Sequence, residues 1–338
     1  MTCDLRTGSL RQPDPLDYIT KEVAVSPAPP GTTAPLWASF LATVTAGDQD
    51  LQDYLQRVAG YCLTGDVSAH ALFFFYGTGG NGKSVFVNTL VGIWKDYAVT
   101  FPTEMLMVSN VDRHPTEIAR LRGVRLAVGG EIEIGRTWAE SKIKALTGGD
   151  TLQGRFMRQD FFEFRPQFKL LIMGNHKPSL RGVDEAIRRR LHLVPFTVTI
   201  PPERRDLQLE EKLVAEWPAI LRWAIDGCLA WQRGGLKPPK AVLAATEGYL
   251  AGEDTFELWR GDCTTADPRA FELSADLWQS WKRWADAAGE FVGSQKRFSQ
   301  TLEDHGFVPG RDGTKANKRG YRGAWLKREE ASAQWYGQ

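Results

Sequence analysis

Leu72-Phe73-Phe74-Phe75-Tyr76-Gly77-Thr78-Gly79-Gly80-Asn81-Gly82-Lys83-Ser84-Val85 is the stretch that decides the fold. Residues 77–84 match the phosphate-binding pattern G-x-x-x-x-G-K-[ST] at every fixed position. An apolar run precedes the loop, and a segment of helical character, Val85 to Trp94, follows it. Strand, glycine loop, helix is the context in which the pattern has physical meaning. The glycines let the backbone wrap a phosphate without Cβ clashes. Successive N–H groups and the helix N-terminus then face the anion. Residues Gly77 to Val85 are therefore expected to bind a nucleotide, with Lys83 neutralising β/γ-phosphate charge and the Ser84 hydroxyl holding Mg²⁺. The full match and the preceding strand favour this reading over a loop that merely turns the chain.

Composition bounds the rest. A chain of 338 residues suggests two or three domains, and an apolar fraction of 42% is ample for their cores. No run of apolar residues is long enough to span a bilayer. The N-terminus carries Asp4 and Arg6 and lacks an apolar signal core, so export is not expected. Cys3, Cys62, Cys228 and Cys263 are scattered without C-x-x-C pairs, which points away from a zinc site or disulfide framework and towards a reducing cytoplasm. The formal net charge of +1 means that any nucleic-acid binding must use local patches.

Outward from the loop, residues 1–35 are rich in Pro, Gly, Asp and Thr and read as an extended arm. Apolar spacing from Leu36 to Leu63 predicts two helices joined near Gly47-Asp48. Residues 67–200 alternate apolar runs with helical patterns, the signature of a largely parallel α/β sheet. The runs are Leu72–Tyr76, Val124–Val128, Leu170–Met173 and Leu191–Val194. A helical stretch is expected over about Glu203–Leu250. Leu277, Trp281 and Trp284, then Phe298 and Leu302, have the spacing of two further buried helices.

Hydrolysis needs a carboxylate beside the phosphates and a cation for the charge developing on the γ-phosphate. The run Arg125-Leu-Ala-Val-Gly-Gly-Glu131 is an apolar strand ending in an acid, as in a Walker B element. Glu131 is thus a candidate for Mg²⁺ or water, with Glu133 two residues on; the division of labour between them stays open. A third strand, Leu170-Leu-Ile-Met-Gly-Asn175, ends in an amide able to orient the attacking water. Arg188-Arg189-Arg190 follows as a source of an arginine finger, Arg189 or Arg190 being favoured over Arg188. Chain geometry makes a neighbouring subunit's site the natural target, which implies a ring.

With Lys83, Glu131, Asn175 and the arginine run in this order, the chain resembles superfamily 3 AAA+ helicases, and most closely the helicase half of phage/plasmid and poxvirus-type primase–helicases. The resemblance extends over Lys144-Ala-Leu-Thr-Gly-Gly-Asp150, Arg155-Phe156, Phe162 to Lys169, Asn175-His-Lys-Pro178 and Asp184 to Arg190. It implies an AAA+ core at 67–201, a helical collar behind the arm at 1–66, a helical lid at 202–252 and a winged-helix DNA-binding domain at 253–338. It also implies a pore hairpin at about Gly148–Phe168. There Arg155, Arg158 and Gln159 near the tip would meet phosphates, and Phe156 and Phe161 would stack on bases. Phe162, Phe164 and Phe168, at alternating positions, are instead expected in the core. From Lys296 to Arg328 nine Lys or Arg face three acids. The winged-helix reading assigns phosphate contacts to Lys315, Lys318, Arg319 and Arg322; charge alone equally fits a solvated loop.

The implied activity is that of an ATP- and Mg²⁺-dependent motor, assembled as a hexameric ring and acting on single-stranded and forked DNA in phage or plasmid replication, in the host cytoplasm. A primase would belong to the same longer chain or to a separate protein. Two alternatives stay open: an ATP-dependent initiator that does not unwind processively, and a noncatalytic DNA-binding or oligomerisation module. Intact Lys83, Ser84, Glu131 and Asn175 count against the last.

Overall fold

Leu72–Tyr76 is apolar at nearly every position because it becomes a strand covered on both faces. The computed structural model describes residues 1–109, 116–133, 135–180, 182–311 and 317–327, and the chain divides into two compact units, Met1–Leu250 and Ala251–Gln338. The segments 1–66, 67–201 and most of 202–252 lie together in the first.

The first unit opens with an antiparallel hairpin of β1 (Thr2–Asp4) and β2 (Ser9–Arg11), followed by α1 (Pro35–Val44) and α2 (Gln49–Tyr61). Asp48 starts α2 by accepting from Leu51 N at 3.0 Å. Then come β3 (Leu72–Tyr76), α3 (Lys83–Trp94), β4 (Ala98–Phe101), the short α4 (Thr116–Ala119), β5 (Leu126–Gly129) and α5 (Glu140–Thr147). A hairpin of β6 (Leu152–Gly154) and β7 (Phe162–Phe164) precedes β8 (Lys169–Gly174), the one-turn α6 (Glu185–Arg188) and β9 (Leu191–Pro195). The unit ends with α7 (Leu209–Leu213), α8 (Trp217–Gly234) and α9 (Lys240–Glu253), the last running past the boundary.

Five of these strands form one parallel sheet in the order β4-β5-β8-β3-β9. Side chains alternate between its faces. Phe73, Phe75, Val128, Leu171 and Val194 pack with α1, α2, α3 and α8, while Leu72, Phe74, Ala127, Ile172 and Leu193 pack with α5, α6 and α9. The four apolar runs become β3, β5, β8 and β9. The remaining strand, β4, is not announced by the pattern: it is short, lies at the sheet edge and keeps Thr100 exposed. The helical stretch expected from Glu203 begins at Leu209 instead. Pro201 and Pro202 limit the preceding chain to a single 3₁₀ turn, Pro202–Arg204. The N-terminal arm lies along its own unit, with Arg222 Nε donating to Ala28 O at 2.8 Å and Ala24 N to Ile93 O at 2.9 Å.

In the second unit α10 (Thr255–Cys263), β10 (Thr264–Leu273), α11 (Ser274–Ala288), α12 (Gln295–Asp304), β11 (Val308–Arg311) and β12 (Arg319–Leu326) follow in turn, with an antiparallel sheet ordered β10-β12-β11. Phe256, Trp259, Leu277, Trp281, Phe298 and Leu302 form its core. Trp284 is half-buried, and its Nε1 donates to Asp262 at 2.9 Å. Among the described residues no helix is long and apolar enough to cross a membrane, and the four cysteines are free thiols.

One packing contact in the first unit has no signature in either segment alone. α2 and α8 cross backbone to backbone: a Cβ on Gly60 would stand 2.0 Å from Cys228 N, and one on Gly227 2.1 Å from Gln56 O. Gly60→Ala is expected to cost about 3 kcal/mol or more by forcing the helices apart. Urea denaturation showing wild-type stability would contradict this account of the crossing.

Candidate nucleotide site and nucleic-acid contacts

A parallel sheet gathers its loops at the C-terminal ends of the strands, where ligands bind in open α/β folds. Here that edge carries the phosphate loop after β3, Glu131 after β5 and Asn175 after β8. Gly79, Gly80 and Gly82 all take positive φ, the region a side chain rarely adopts. At Gly82 (φ +83°) a Cβ would also strike Val44 Cγ1 at 2.5 Å. Buried Asn81 fastens the loop by donating from Nδ2 to Phe196 O at 2.8 Å. Phe196 N in turn donates to Tyr76 O at 2.8 Å, so the exit of β9 braces the exit of β3.

Lys83 is buried at the start of α3. Its Nζ donates to Gly77 O at 2.6 Å and to Asn175 Oδ1 at 3.1 Å. Asn175 Nδ2 donates to Glu131 Oε1. The amide has one workable orientation between these neighbours: its oxygen accepts from the ammonium, and its nitrogen donates to the carboxylate. Burial lowers the Lys83 pKa, and the Glu131 charge opposes that shift. The loop from Gly79 to Val85, with Glu131, Gly174 and Asn175, lines a cleft of about 370 Å³. Ser84 is exposed in it, whereas Thr78 is exposed on the loop outside its lining. Glu133 does not line the cleft; its carboxylate pairs with Arg136 at 2.8 Å.

The three arginines differ. Arg190 is buried, donating from Nε to Thr147 Oγ1 at 3.1 Å and from Nη1 to Ala186 O at 2.7 Å, and desolvation lowers its pKa. As an internal brace between α5 and α6 it is not available to a neighbouring subunit, which removes one of the two favoured finger candidates. Arg188 pairs with Glu247 at 2.8 Å. Arg189 is exposed.

The segment 148–168 does hold a hairpin, with residues 155–161 forming its end beyond the β6/β7 pair. Phe156, Met157, Arg158, Gln159 and Phe161 are exposed there, and Arg158 takes φ +60°. Part of the aromatic surface is already used: the Arg155 guanidinium lies 4.5 Å over the Phe161 ring, and Phe156 stacks on Phe162 at 5.6 Å. Phe168 is buried as expected, but Phe162 and Phe164 are only half-buried, because a two-stranded hairpin cannot cover both its faces. In the second unit Lys318, Arg319 and Arg322 are exposed on and beside β12; Lys315 lies outside the described residues.

Residues 75–190 match the model of a family described as of unknown function, DUF5906, and residues 1–46 match the "D5 N terminal like" model. The chain is 27% identical over 276 residues to "Putative helicase 022R" of Frog virus 3, a match covering 74% of this chain and 28% of that protein. It is 25% identical over 260 residues to "Putative helicase L207/L206" of Acanthamoeba polyphaga mimivirus, covering 70% and 27%. Among solved structures, the A form of the apo NrS-1 C-terminal region superposes with a TM-score of 0.53 at 11% identity, covering 89% of this chain and 68% of that one. That likeness shows a common fold. The chain resembles the D5-like, phage- and virus-type primase–helicases. It spans just over a quarter of the length of these two viral relatives.

Two features of this D5-like chain escape a reading of the sequence. The Asn81 brace depends on Phe196, distant along the chain, and the end of the following loop, Glu203 to Gln208, reads as the start of a helix. The geometry of the arginines predicts separable effects on stability. Arg190→Ala should cost about 2 kcal/mol or more, since it removes two buried hydrogen bonds and their packing. Arg189→Ala should stay within about 0.5 kcal/mol of wild type. Thermal melts of the two variants check this; equal stability would contradict the internal role of Arg190.

Proposed function

We propose that the chain is the motor portion of an ATP-dependent DNA helicase of the phage- and plasmid-replication type, assembled as a ring and driven along single-stranded DNA by ATP hydrolysis. The observation that carries this reading is the contact chain Lys83–Asn175–Glu131 across one cleft over a complete phosphate loop. In it the five-stranded unit is an AAA+ core. The N–H groups of the loop and Lys83 bind the β- and γ-phosphates. Ser84 Oγ and the Glu131 carboxylate suit Mg²⁺, a hard cation that takes one or two protein oxygens and keeps water and phosphate oxygens for the rest. The ion would supply charge neutralisation at the phosphates. Glu131 polarises the attacking water and Asn175 holds it in line. Glu133, paired with Arg136, stands outside the reaction.

The trans-acting cation is Arg189, the exposed member of its run. A finger of this kind requires a heterologous contact between copies, and such contacts give a ring where the rotation between copies closes; a hexamer is the proposed form. The exposed cations and aromatics at the end of the β6/β7 hairpin grip the translocated strand. The second unit, three helices with a three-stranded antiparallel sheet, acts as a winged-helix module whose Lys315, Lys318, Arg319 and Arg322 bind DNA backbone. A primase, within a longer chain or separate, completes the replicative assembly.

Unwinding of a forked duplex with ATP, measured beside ATP binding and hydrolysis, tests the proposal. Glu131→Gln should retain ATP binding and lose hydrolysis and unwinding by about 100-fold or more. Glu133→Gln should remain close to wild type. The reverse pattern would move the essential acid to Glu133 and break the reading of the cleft. A subunit-mixing experiment addresses the ring: inactive Lys83→Ala and inactive Arg189→Ala proteins should recover part of the ATPase at composite sites. Mixed oligomers that form and stay inactive would refute a shared site.

A further inference from the structure

The loop between β9 and α7 crosses over the phosphate loop. Ile200 N donates to Gly80 O at 2.9 Å, and Arg205 Nε donates to Ile200 O at 2.7 Å. These two bonds hold the Arg205 guanidinium against the loop: a Cβ on Gly80 would stand 2.4 Å from Nη2 and 2.8 Å from Cζ. Of the carboxylates lining the same cavity, Asp206 pairs with Lys212 at 2.6 Å, Glu210 accepts from Asn88 Nδ2 at 3.2 Å, and Glu211 is exposed. Among the described residues no carboxylate pairs with Arg205. An exposed guanidinium tied by its Nε, with its remaining donors free and no paired carboxylate among the described residues, set against a phosphate-binding loop, has the chemistry of an anion contact.

The position also says which part of the ligand it meets. Arg205 borders a second cavity, about 660 Å³, that meets the nucleotide cleft at Gly80, Gly82 and Val85. Glu131 and Asn175 line the first cavity and not the second. For a nucleotide whose γ-phosphate faces Glu131 and Asn175, this second cavity offers room for the α-phosphate end, beside Arg205. We propose that Arg205 is a nucleotide-binding residue supplied by the same chain, contacting the α-phosphate end of ATP and ADP alike. This rests on the nucleotide reading of the cleft given above. A contact at that end is the same in substrate, transition state and product, so it strengthens binding uniformly and leaves the chemical step alone. Arg205 thus differs in kind from Arg189, whose charge would act on the γ-phosphate of a neighbouring site.

The test uses the full chain with Arg205→Ala and Arg205→Lys, and fluorescent ADP as probe. In Arg205→Ala the Kd for ADP and the KM for ATP should rise together, by about tenfold, with kcat within about twofold of wild type and the melting temperature without added nucleotide unchanged. Arg205→Lys should restore part of the affinity. Unchanged affinity for ADP in Arg205→Ala overturns the proposal. So does a fall in kcat with KM unaltered, which would put the guanidinium at the γ-phosphate. A lowered melting temperature with affinity intact would reduce Arg205 to a structural tie. If the unaltered protein itself fails to bind ADP, the phosphate-loop reading falls, an outcome distinct from wild-type binding that Arg205→Ala leaves untouched.

Discussion

The Asn175 amide stands between the two charges of the cleft, and the sheet is ordered so that it can. Lys83 enters from the exit of β3 and Glu131 from the exit of β5, two strands that are not neighbours. With adjacent strands about 4.8 Å apart, the intervening β8 separates them by roughly 10 Å at the level of the sheet. Asn175, at the tip of β8, fills that gap with a group that accepts on one side and donates on the other. Had β5 paired directly with β3, the ammonium and carboxylate would be free to close on each other as an ion pair. With an amide between them both charges stay near the phosphate loop, and neither is spent on the other.

Holding that arrangement requires the strand tips to be fixed, and the fixation comes from remote parts of the chain. Phe196, just past β9, holds both Tyr76 and Asn81. Val44 of α1 closes on the loop at Gly82. Arg190, beside the exposed Arg189, locks the end of α6 onto Thr147 at the end of α5. Each brace joins segments far apart in sequence, so the site is a product of the whole first unit and not of the loop motif alone.

This explains what could be read from the sequence and what could not. The loop and the strands β3, β5, β8 and β9 were legible because their information is local: fixed residue types at fixed spacing, and apolar runs imposed by burial on two faces. The edge strand β4 was not, since one flank lacks a neighbour and its composition relaxes. The sequence favours Glu131 over Glu133 only by its place at the end of the apolar run; the two separate because one turns into the cleft and the other meets Arg136. Arg188, Arg189 and Arg190 are likewise three identical letters until Glu247 claims the first and Thr147 with Ala186 claims the third. The close crossing at Gly60 and Gly227 needs both helices at once. Local patterns reveal elements, whereas the assignment of roles among like residues depends on partners that only folding supplies.

Lys83 shows why the amide bridge matters for the proposed chemistry. Its ammonium is buried, and its two hydrogen-bond acceptors are neutral, a main-chain carbonyl and the Asn175 amide oxygen. Burial disfavours the charged form, which the more distant Glu131 only partly offsets. An anionic phosphate oxygen is a stronger acceptor than either neutral group, so phosphate binding would relieve a cost the fold already carries. Whatever draws the ammonium from Asn175 Oδ1 also alters the group that donates to Glu131. Phosphate occupancy and the hydrogen bonding of the proposed water-activating acid are thereby linked through a single side chain, without any movement of the sheet.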